Sequence, residues 1–437
     1  MPRRSHIAAV RTSRGVIGAY LTTNALFTLA ASLIWGVNTL FLMGAGLDIL
    51  QVMLVNTAFT VGQIIFEVPT GVVADTIGRK FSFLLGNLTL FVSTLLYVAS
   101  AHFGWGFWAF VGASVIIGLG FTFQTGAVDA WLVDALEHTG YEGARERVFS
   151  WAGMLSGSTM LIGTLAGGFL GQIDLAWPYV VRAALLIGCF LAAALLMQDL
   201  GFAPRPLRLS RFGEETRTIF DAGVRYGWGN RVVRPLLLVS LVGGIFGMYG
   251  FYSWQRYALD LLGKEYIWVS GVLAAAAALA SIIGNLMVSR IMRTGERRRK
   301  AWRVLAVCSA LLAMFVAAIG VVGLFAKTPG VVPLLVASAL WMGWGIVFGV
   351  VGPIRQAYLN EHVPSAQRAT VLSLDAFFGD VGGAGGQPVL GWMAKTWSIP
   401  VSWLVGAVVM LLSVPLYRSA GGGEDAAEES EPAQQPR

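Results

Sequence analysis

The chain has 437 residues, of which 56% are hydrophobic and only 13% charged, against roughly 25% charged in an average soluble protein. That apolar supply is about what twelve spans of about 20 residues each consume, which excludes a large water-soluble enzyme. The run 236–251 is apolar or glycine apart from Ser240 and Tyr249; it lacks the alternation of an outer-membrane β-strand, and helices then satisfy the backbone in lipid. The formal charge of +7 reads as loop charge facing an anionic membrane surface, with no nucleic-acid groove implied.

Apolar runs bounded by charged or turn-rich breaks predict spans near 16–43, 48–70, 80–101, 105–135, 147–171 and 176–198, and again near 234–262, 266–292, 301–326, 331–360, 369–393 and 398–417. The fold class expected is therefore an all-α membrane protein of twelve transmembrane helices in two six-helix pseudo-repeats. The domains expected are an N-terminal half (1–198), a cytoplasmic linker (199–233), a C-terminal half (234–418) and a disordered acidic tail (419–437). The linker carries Pro204, Pro206 and several arginines, and its stretch 212–226 has the character of an amphipathic surface helix. The basic N-terminus is followed by an apolar stretch too long for a signal-peptide core, so it is kept as the first span. Cys189 and Cys308 lie inside apolar runs without CxxC or Cys/His spacing, which suggests neither a disulfide framework nor a zinc site.

Orientation follows from the lysines and arginines. With both termini cytoplasmic, 25 of the 31 fall in inner segments, while the outer loops hold Lys264, Lys327 and Lys395, the asymmetry expected of cytoplasmic loops. The two sets of six spans also look like copies. GAVDAW at 126–131 and GPIRQAY at 352–358 close the fourth and tenth spans. Arg147 and Arg368 open the fifth and eleventh, and each becomes glycine-rich midway: Gly163, Gly167, Gly168, Gly171 against Gly379, Gly382, Gly383, Gly386. Parallel repeats around a midplane site are a common transporter plan.

The most specific motif is GVVADTIGRK at 71–80, a complete match to GxxxDxxGRK in the loop between spans two and three. In this motif the chain resembles the major facilitator superfamily, and span count and orientation extend the likeness over everything but the tail. The resemblance implies that Asp75 and Arg79, with Gly71, Gly78 and Lys80 of the motif, form a conformational gate on the cytoplasmic side; Asp129, Asp134 and Arg355, charges toward the inner ends of spans four and ten, read as a charge network extending that gate. Independent physics agrees: Asp75 and Arg79 are an i, i+4 pair, and the glycines permit close backbone approach. In the second repeat, Ser289 and Arg290 stand where the corresponding Asp is expected. The fifth-span series Gly163, Gly167, Gly168, Gly171, Gln172 is similar to the antiporter motif GxxxGPxxGG of the drug exporters, with Gly168 for the proline and Gln172 for the last glycine. Close helix packing is the alternative reading of these glycines. The phrase FEVPTG at 66–71 and the pair Asp129 and Asp134 resemble the macrolide-type efflux branch.

Ionisable residues inside a span are costly and mark function by default. Glu67, Asp380 and Asp375 are the candidates for proton coupling, against a structural hydrogen bond or ion pair. Arg182, in the outer half of span six, is expected to pack or snorkel. Aromatic and polar residues give cavity candidates: Asn24, Trp35 and Asn38 in span one, Gln124 in span four, Tyr249 and Tyr252 in span seven, Trp341 and Trp344 in span ten. Interfacial belting is the alternative for the outermost of them. The four histidines fall in loops or at span ends, which leaves no intramembrane histidine relay.

These features together predict a secondary active transporter working by alternating access: a proton-coupled exporter of hydrophobic or cationic small molecules, with a proton-coupled uptake symporter as the alternative. The expected partners are a small-molecule substrate, protons and the bilayer, with no cofactor, no nucleic acid and a monomeric state. An intramembrane enzyme has no HExxH or CxxC to support it, and no GxxxxGK[ST] supports a nucleotide-driven pump. Arginine outnumbers lysine 26 to 5, pointing to a GC-rich bacterial genome and a cytoplasmic-membrane location.

Overall fold

A computed structural model describes residues 12–124, 127–204, 224, 226–296, 300–326 and 328–430, leaving aside the side chains of 366, 369 and 425–430. The expected amphipathic stretch 212–226 lies almost wholly outside the described residues. Among them there is no strand: apart from a short 3-10 turn at Ser365–Gln367, all regular structure is α-helical.

The helices of the first part are α1 (Ser13–Ser32), α2 (Asn38–Gly44), α3 (Ile49–Thr76), α4 (Arg79–Phe103), α5 (Phe107–Thr122), α6 (Ala127–His138), α7 (Arg145–Ile173) and α8 (Trp177–Leu196). Those of the second are α9 (Val233–Leu262), α10 (Trp268–Ile291), α11 (Ala301–Phe325), α12 (Val331–Glu361), α13 (Arg368–Thr396), α14 (Ile399–Leu411) and α15 (Ser413–Ser430). Their starts follow local capping chemistry. Thr12 accepts from the Gly15 N–H at 3.2 Å, and Asp48 and Gln51 form a reciprocal capping box, each satisfying N–H groups that a helix terminus leaves open.

Two expected spans are broken: span one divides at residues 33–37 into α1 and α2, and span twelve at Leu412 into α14 and α15, while α5 and α6 of span four flank residues 125–126, which lie outside the described residues. With α5 and α6 taken as one span and α14 and α15 as another, eleven spans among the described residues are long and apolar enough to cross a membrane by length and composition. The expected eleventh span, α13, falls short of that hydropathy because Asp375, Asp380, Gln387 and its run of glycines dilute the apolar content. Large apolar side chains stand exposed along the helices, Leu195 at 76% and Leu286 at 71% among them, the surface a bilayer would cover.

The chain separates into two compact units, Met1–Leu207 with Lys264–Ala275, and Arg208–Gly263 with Ala276–Arg437. The boundary at 207/208 falls inside the stretch 199–233, and 264–275 groups with the first unit. That segment joins the first unit because Gln172 on α7 donates to the Glu265 carbonyl at 2.8 Å and accepts from the Trp268 N–H at 3.1 Å, and because Gly271 packs on Gly168.

Each unit repeats one packing device. In the first, an added Cβ at Gly167 of α7 would lie 1.8 Å from the Leu33 carbonyl at the end of α1. In the second, one at Gly382 of α13 would lie 2.0 Å from the Leu241 carbonyl of α9, and one at Gly386 2.2 Å from that of Ile245. The paired glycine runs are thus helix-packing surfaces that let backbones touch, in corresponding helices of the two repeats. The tail departs from expectation. Instead of disorder from residue 419, α15 continues to Ser430, held by burial of Ala420, contact of Gly421 with Trp302 and a 2.8 Å hydrogen bond from Tyr358 to Glu424.

Candidate transport site

The GVVADTIGRK segment forms the end of α3, a two-residue turn at Ile77 and Gly78, and the start of α4. Gly78 makes the turn at φ 137°, left-handed backbone that disfavours a side chain. Arg79 then donates from Nε to Asp134 at 2.9 Å, and its Nη2 lies 3.5 Å from Asp75. Three of the predicted gate residues therefore meet around one guanidinium, lining a polar pocket of about 230 Å³ closed by Gly201, Phe202 and Ala203. Asp129 sits one turn earlier on α6 and accepts from Tyr20 of α1 at 2.7 Å, so it ties α6 to α1 rather than joining the Arg79 group.

Sequence reasoning missed Asp199. Gly78 has no side chain to cap α4, and Asp199 supplies one from beyond α8: its Oδ1 accepts from the Lys80 N–H at 2.9 Å. A carboxylate at a helix N-terminus satisfies an open donor and faces the positive end of the dipole. Partial burial raises its pKa, opposed by the Lys80 N–H and by the charges of Lys80 and Arg79. Lys80 itself donates to the Ala194 carbonyl at 2.7 Å. An added Cβ at Gly78 would come 2.6 Å from Asp199 Oδ2, so this glycine is required for the close approach as well as for the turn. Gly71, by contrast, has open space around its Cβ direction. The available sequence signal for Asp199 was its place as the first acid after span six.

Arg355 takes a different place from the one expected. It belongs to the second unit, where Nη1 and Nη2 donate to both oxygens of Asp375 at 2.8 and 2.5 Å, and Nη2 also reaches the Leu236 carbonyl at 3.1 Å. Ser240 of α9 donates to Asp375 at 2.6 Å. The pair is a two-point ion pair linking α12, α13 and α9, with side-chain exposures of only 18% and 13%. A carboxylate engaged at both oxygens is held in one geometry by charge-assisted bonds, which makes Asp375 a structural partner more than a free proton carrier.

The other two acids differ. Glu67, expected to be buried, is exposed on α3; the helix carries Pro69 and turns this face outward. Asp380 is half-buried on α13, and among the described residues it has no hydrogen-bond or ion-pair partner.

The cavity candidates separate into two groups. Asn38 is buried, donating to Asn56 at 3.0 Å and accepting from Tyr179 at 2.8 Å. Gln124 donates to the Phe83 carbonyl at 3.3 Å, and Tyr249, wholly buried, pairs with Ser402. These three are internal hydrogen-bonding residues, because a polar group in a lipid-facing bundle is retained where a partner satisfies it. Asn24, Trp35 and Tyr252 are partly exposed. Asn24 accepts from Thr28 at 3.4 Å, Trp35 lies in the break between α1 and α2, and Tyr252 meets Phe251 edge-on at 5.1 Å.

Trp341 and Trp344 are the core of an aromatic platform in the second unit. Their rings stack 4.9 Å apart, Trp344 stacks on Phe348 at 4.9 Å, and Trp341 faces Trp254 at 6.3 Å and Trp403 at 5.6 Å. Both indoles are partly exposed, yet both Nε1 donors are buried without an acceptor.

Arg182 does not snorkel, and among the described residues it finds no acid. It is 2% exposed on α8, about 8 Å in from that helix's first residue at 1.5 Å rise per residue. Its guanidinium lies 5.9 Å over the Phe121 ring. An arginine at a span's centre costs about 2.5–3.5 kcal/mol on insertion scales, and a cation–π contact returns only about 0.5–2 kcal/mol, so the ring does not offset the burial.

Comparison with known proteins places these features in context. The sequence profile described as "Major Facilitator Superfamily" matches residues 20–386. The tetracycline resistance protein, class C, of Escherichia coli is 24% identical over 363 residues, covering 80% of this chain and 82% of that protein. A Bacillus subtilis (strain 168) protein named for niacin/nicotinamide transport is also 24% identical, over 79% of this chain and 80% of its own length. Among solved structures, the nucleoside transporter NupG superposes with a TM-score of 0.70 at 11% identity, covering 93% of this chain and 98% of that one. The D-xylose-proton symporter gives 0.64 at 14% identity, over 93% and 98%.

Proposed function

From a chain that belongs to the major facilitator superfamily, and so is a multi-pass membrane transporter with a small-molecule substrate, we propose a proton-coupled exporter of planar, hydrophobic or cationic molecules. The observation carrying this reading is the Trp341–Trp344–Phe348 stack with two indole N–H groups lacking acceptors. Stacked, partly exposed indoles attract flat apolar faces and cations through the ring quadrupole, and the free N–H groups would reward a ligand that carries an acceptor. Asp380, alone among the three acids in being half-buried and unpaired within the described residues, is the proposed proton carrier. The group of Asp75, Arg79, Asp134 and Asp199 is the proposed cytoplasmic gate, with both termini cytoplasmic in a bacterial inner membrane and the protein acting as a monomer.

The tetracycline-resistance relatives favour export, while the relative named for niacin/nicotinamide transport favours a second reading, uptake by symport. Everted membrane vesicles separate the two. With the lumen acidified, an exporter accumulates ethidium or another planar cation from a substrate panel; accumulation only when the outer bath is acidified would establish the symporter instead. Transport of the panel that ignores Trp341→Ala and Trp344→Ala would remove the aromatic platform from the account.

A further inference from the structure

We propose that Arg182 is the centre of a buried site for a small inorganic monovalent anion of the chloride class, enclosed within the first unit. The argument is independent of the transported substrate. Arg182 is 2% exposed, its Nε has no hydrogen-bond partner, and no carboxylate pairs with it among the described residues. The groups that face its charge are the hydroxyls of Tyr179 and Tyr97, neither of which is an anion in its ordinary state.

The polar network around it runs short of acceptors in one direction. Tyr179 donates to Asn38 Oδ1 at 2.8 Å, and Asn38 Nδ2 donates to Asn56 Oδ1 at 3.0 Å. That chain ends on Asn56 Nδ2, a second buried donor with no partner. Tyr97 and Ser114 hydrogen-bond to one another, which occupies one hydroxyl hydrogen and leaves the other to donate elsewhere. The cluster thus holds two buried donors without partners, Arg182 Nε and Asn56 Nδ2, and a positive charge that no acid among the described residues neutralises. Water would satisfy the donors, but a buried charge calls for a counter-charge. Phe41 and Tyr179 lie 4.2 Å apart between centroids, and Tyr97 stacks on Tyr179 at 5.9 Å, so the rings beside the cluster pack in direct contact and leave no room between them for an organic anion.

The test is thermal unfolding of the purified full-length protein, titrated from sodium gluconate into sodium chloride at fixed sodium concentration. An ion that binds the folded state raises the unfolding temperature saturably, so the wild-type protein should show a chloride-dependent rise with a defined half-saturation. Arg182→Met should lose the rise entirely and be the more stable of the two in gluconate, since it no longer buries an unpaired charge. Tyr97→Phe keeps the charge and removes one donor; its half-saturation should weaken about tenfold, the effect of one hydrogen bond to a charged group. A wild-type protein indifferent to chloride would overturn the site, as would an equal chloride response in Arg182→Met. Should Arg182→Met fail to fold, Tyr97→Phe decides: an unchanged half-saturation there refutes the proposal.

Discussion

Asp375 and Asp380 lie five residues apart on α13, and the structure assigns them opposite physical characters, which stability measurements can separate. Removing Arg355 as Arg355→Met strips Asp375 of both guanidinium bonds, at 2.8 and 2.5 Å, and leaves it Ser240 at 2.6 Å. Breaking a buried pair by deleting one partner costs about 3–5 kcal/mol. With side-chain exposures of 18% and 13%, the lower end, about 3 kcal/mol, is expected. Asp375→Leu should cost a similar amount, because it leaves the guanidinium with one carbonyl and one hydroxyl. The double variant Arg355→Met/Asp375→Leu removes both charges and should regain about 2 kcal/mol or more relative to the sum of the singles. Asp380→Asn touches no partner among the described residues and should stay within about 0.5 kcal/mol of the wild type. Equilibrium unfolding in mixed micelles reads all four. Additive losses in the double variant, or an Asp380→Asn loss as large as that of Asp375→Leu, would refute the distinction drawn between the two acids.

Other expectations follow from single contacts. Gly382→Ala should destabilise by about 1–3 kcal/mol, because its Cβ would lie 2.0 Å from the Leu241 carbonyl, while Gly385→Ala, with nothing within 4 Å, should be neutral in the same unfolding assay. Asp134→Asn and Asp75→Asn should leave folding intact and slow the transport cycle, the first more than the second given their distances from Arg79 of 2.9 and 3.5 Å; initial rates at matched protein amounts check this, and unchanged rates in both would sink the gate. Gly78→Ala should impair folding more than Gly71→Ala, since only Gly78 combines φ 137° with a Cβ 2.6 Å from Asp199; yields of folded protein would show it. Single cysteines at 264 and 395 should be labelled by an impermeant reagent from outside intact cells and one at 296 should not, and the reverse pattern would invert the orientation.

Much of the fold was legible because lipid imposes a simple rule on sequence: long apolar runs, interrupted where the chain leaves the bilayer. The glycine spacing of 163–171 and 379–386 likewise has a physical meaning: a Cβ at Gly167, Gly382 or Gly386 would strike a backbone carbonyl of a neighbouring segment. What the sequence withheld was whatever depends on how helix ends meet. The breaks at 33–37 and between α14 and α15 fall inside apolar runs without a charged residue to announce them. Asp199 looks like an ordinary loop acid until the turn at Gly78 brings the start of α4 beneath it. Arg355 and Asp375 are 20 residues apart and on different helices, so their pairing has no local signature. Asn38 and Tyr249 are chemically suited to a cavity, yet Tyr179 and Ser402 claim them; periodicity says which residues face inward, not whether the inward face meets solvent or another side chain.

The measurement closest to the central claim is accumulation of a transported planar cation in everted vesicles under an imposed pH gradient, with and without Asp380→Asn. The wild-type protein should accumulate it when the lumen is acid. The amide mimics the protonated acid permanently, so the variant should lose accumulation while still equilibrating substrate passively. Full gradient-driven accumulation by Asp380→Asn, at equal protein in the membrane, would contradict proton coupling through this residue.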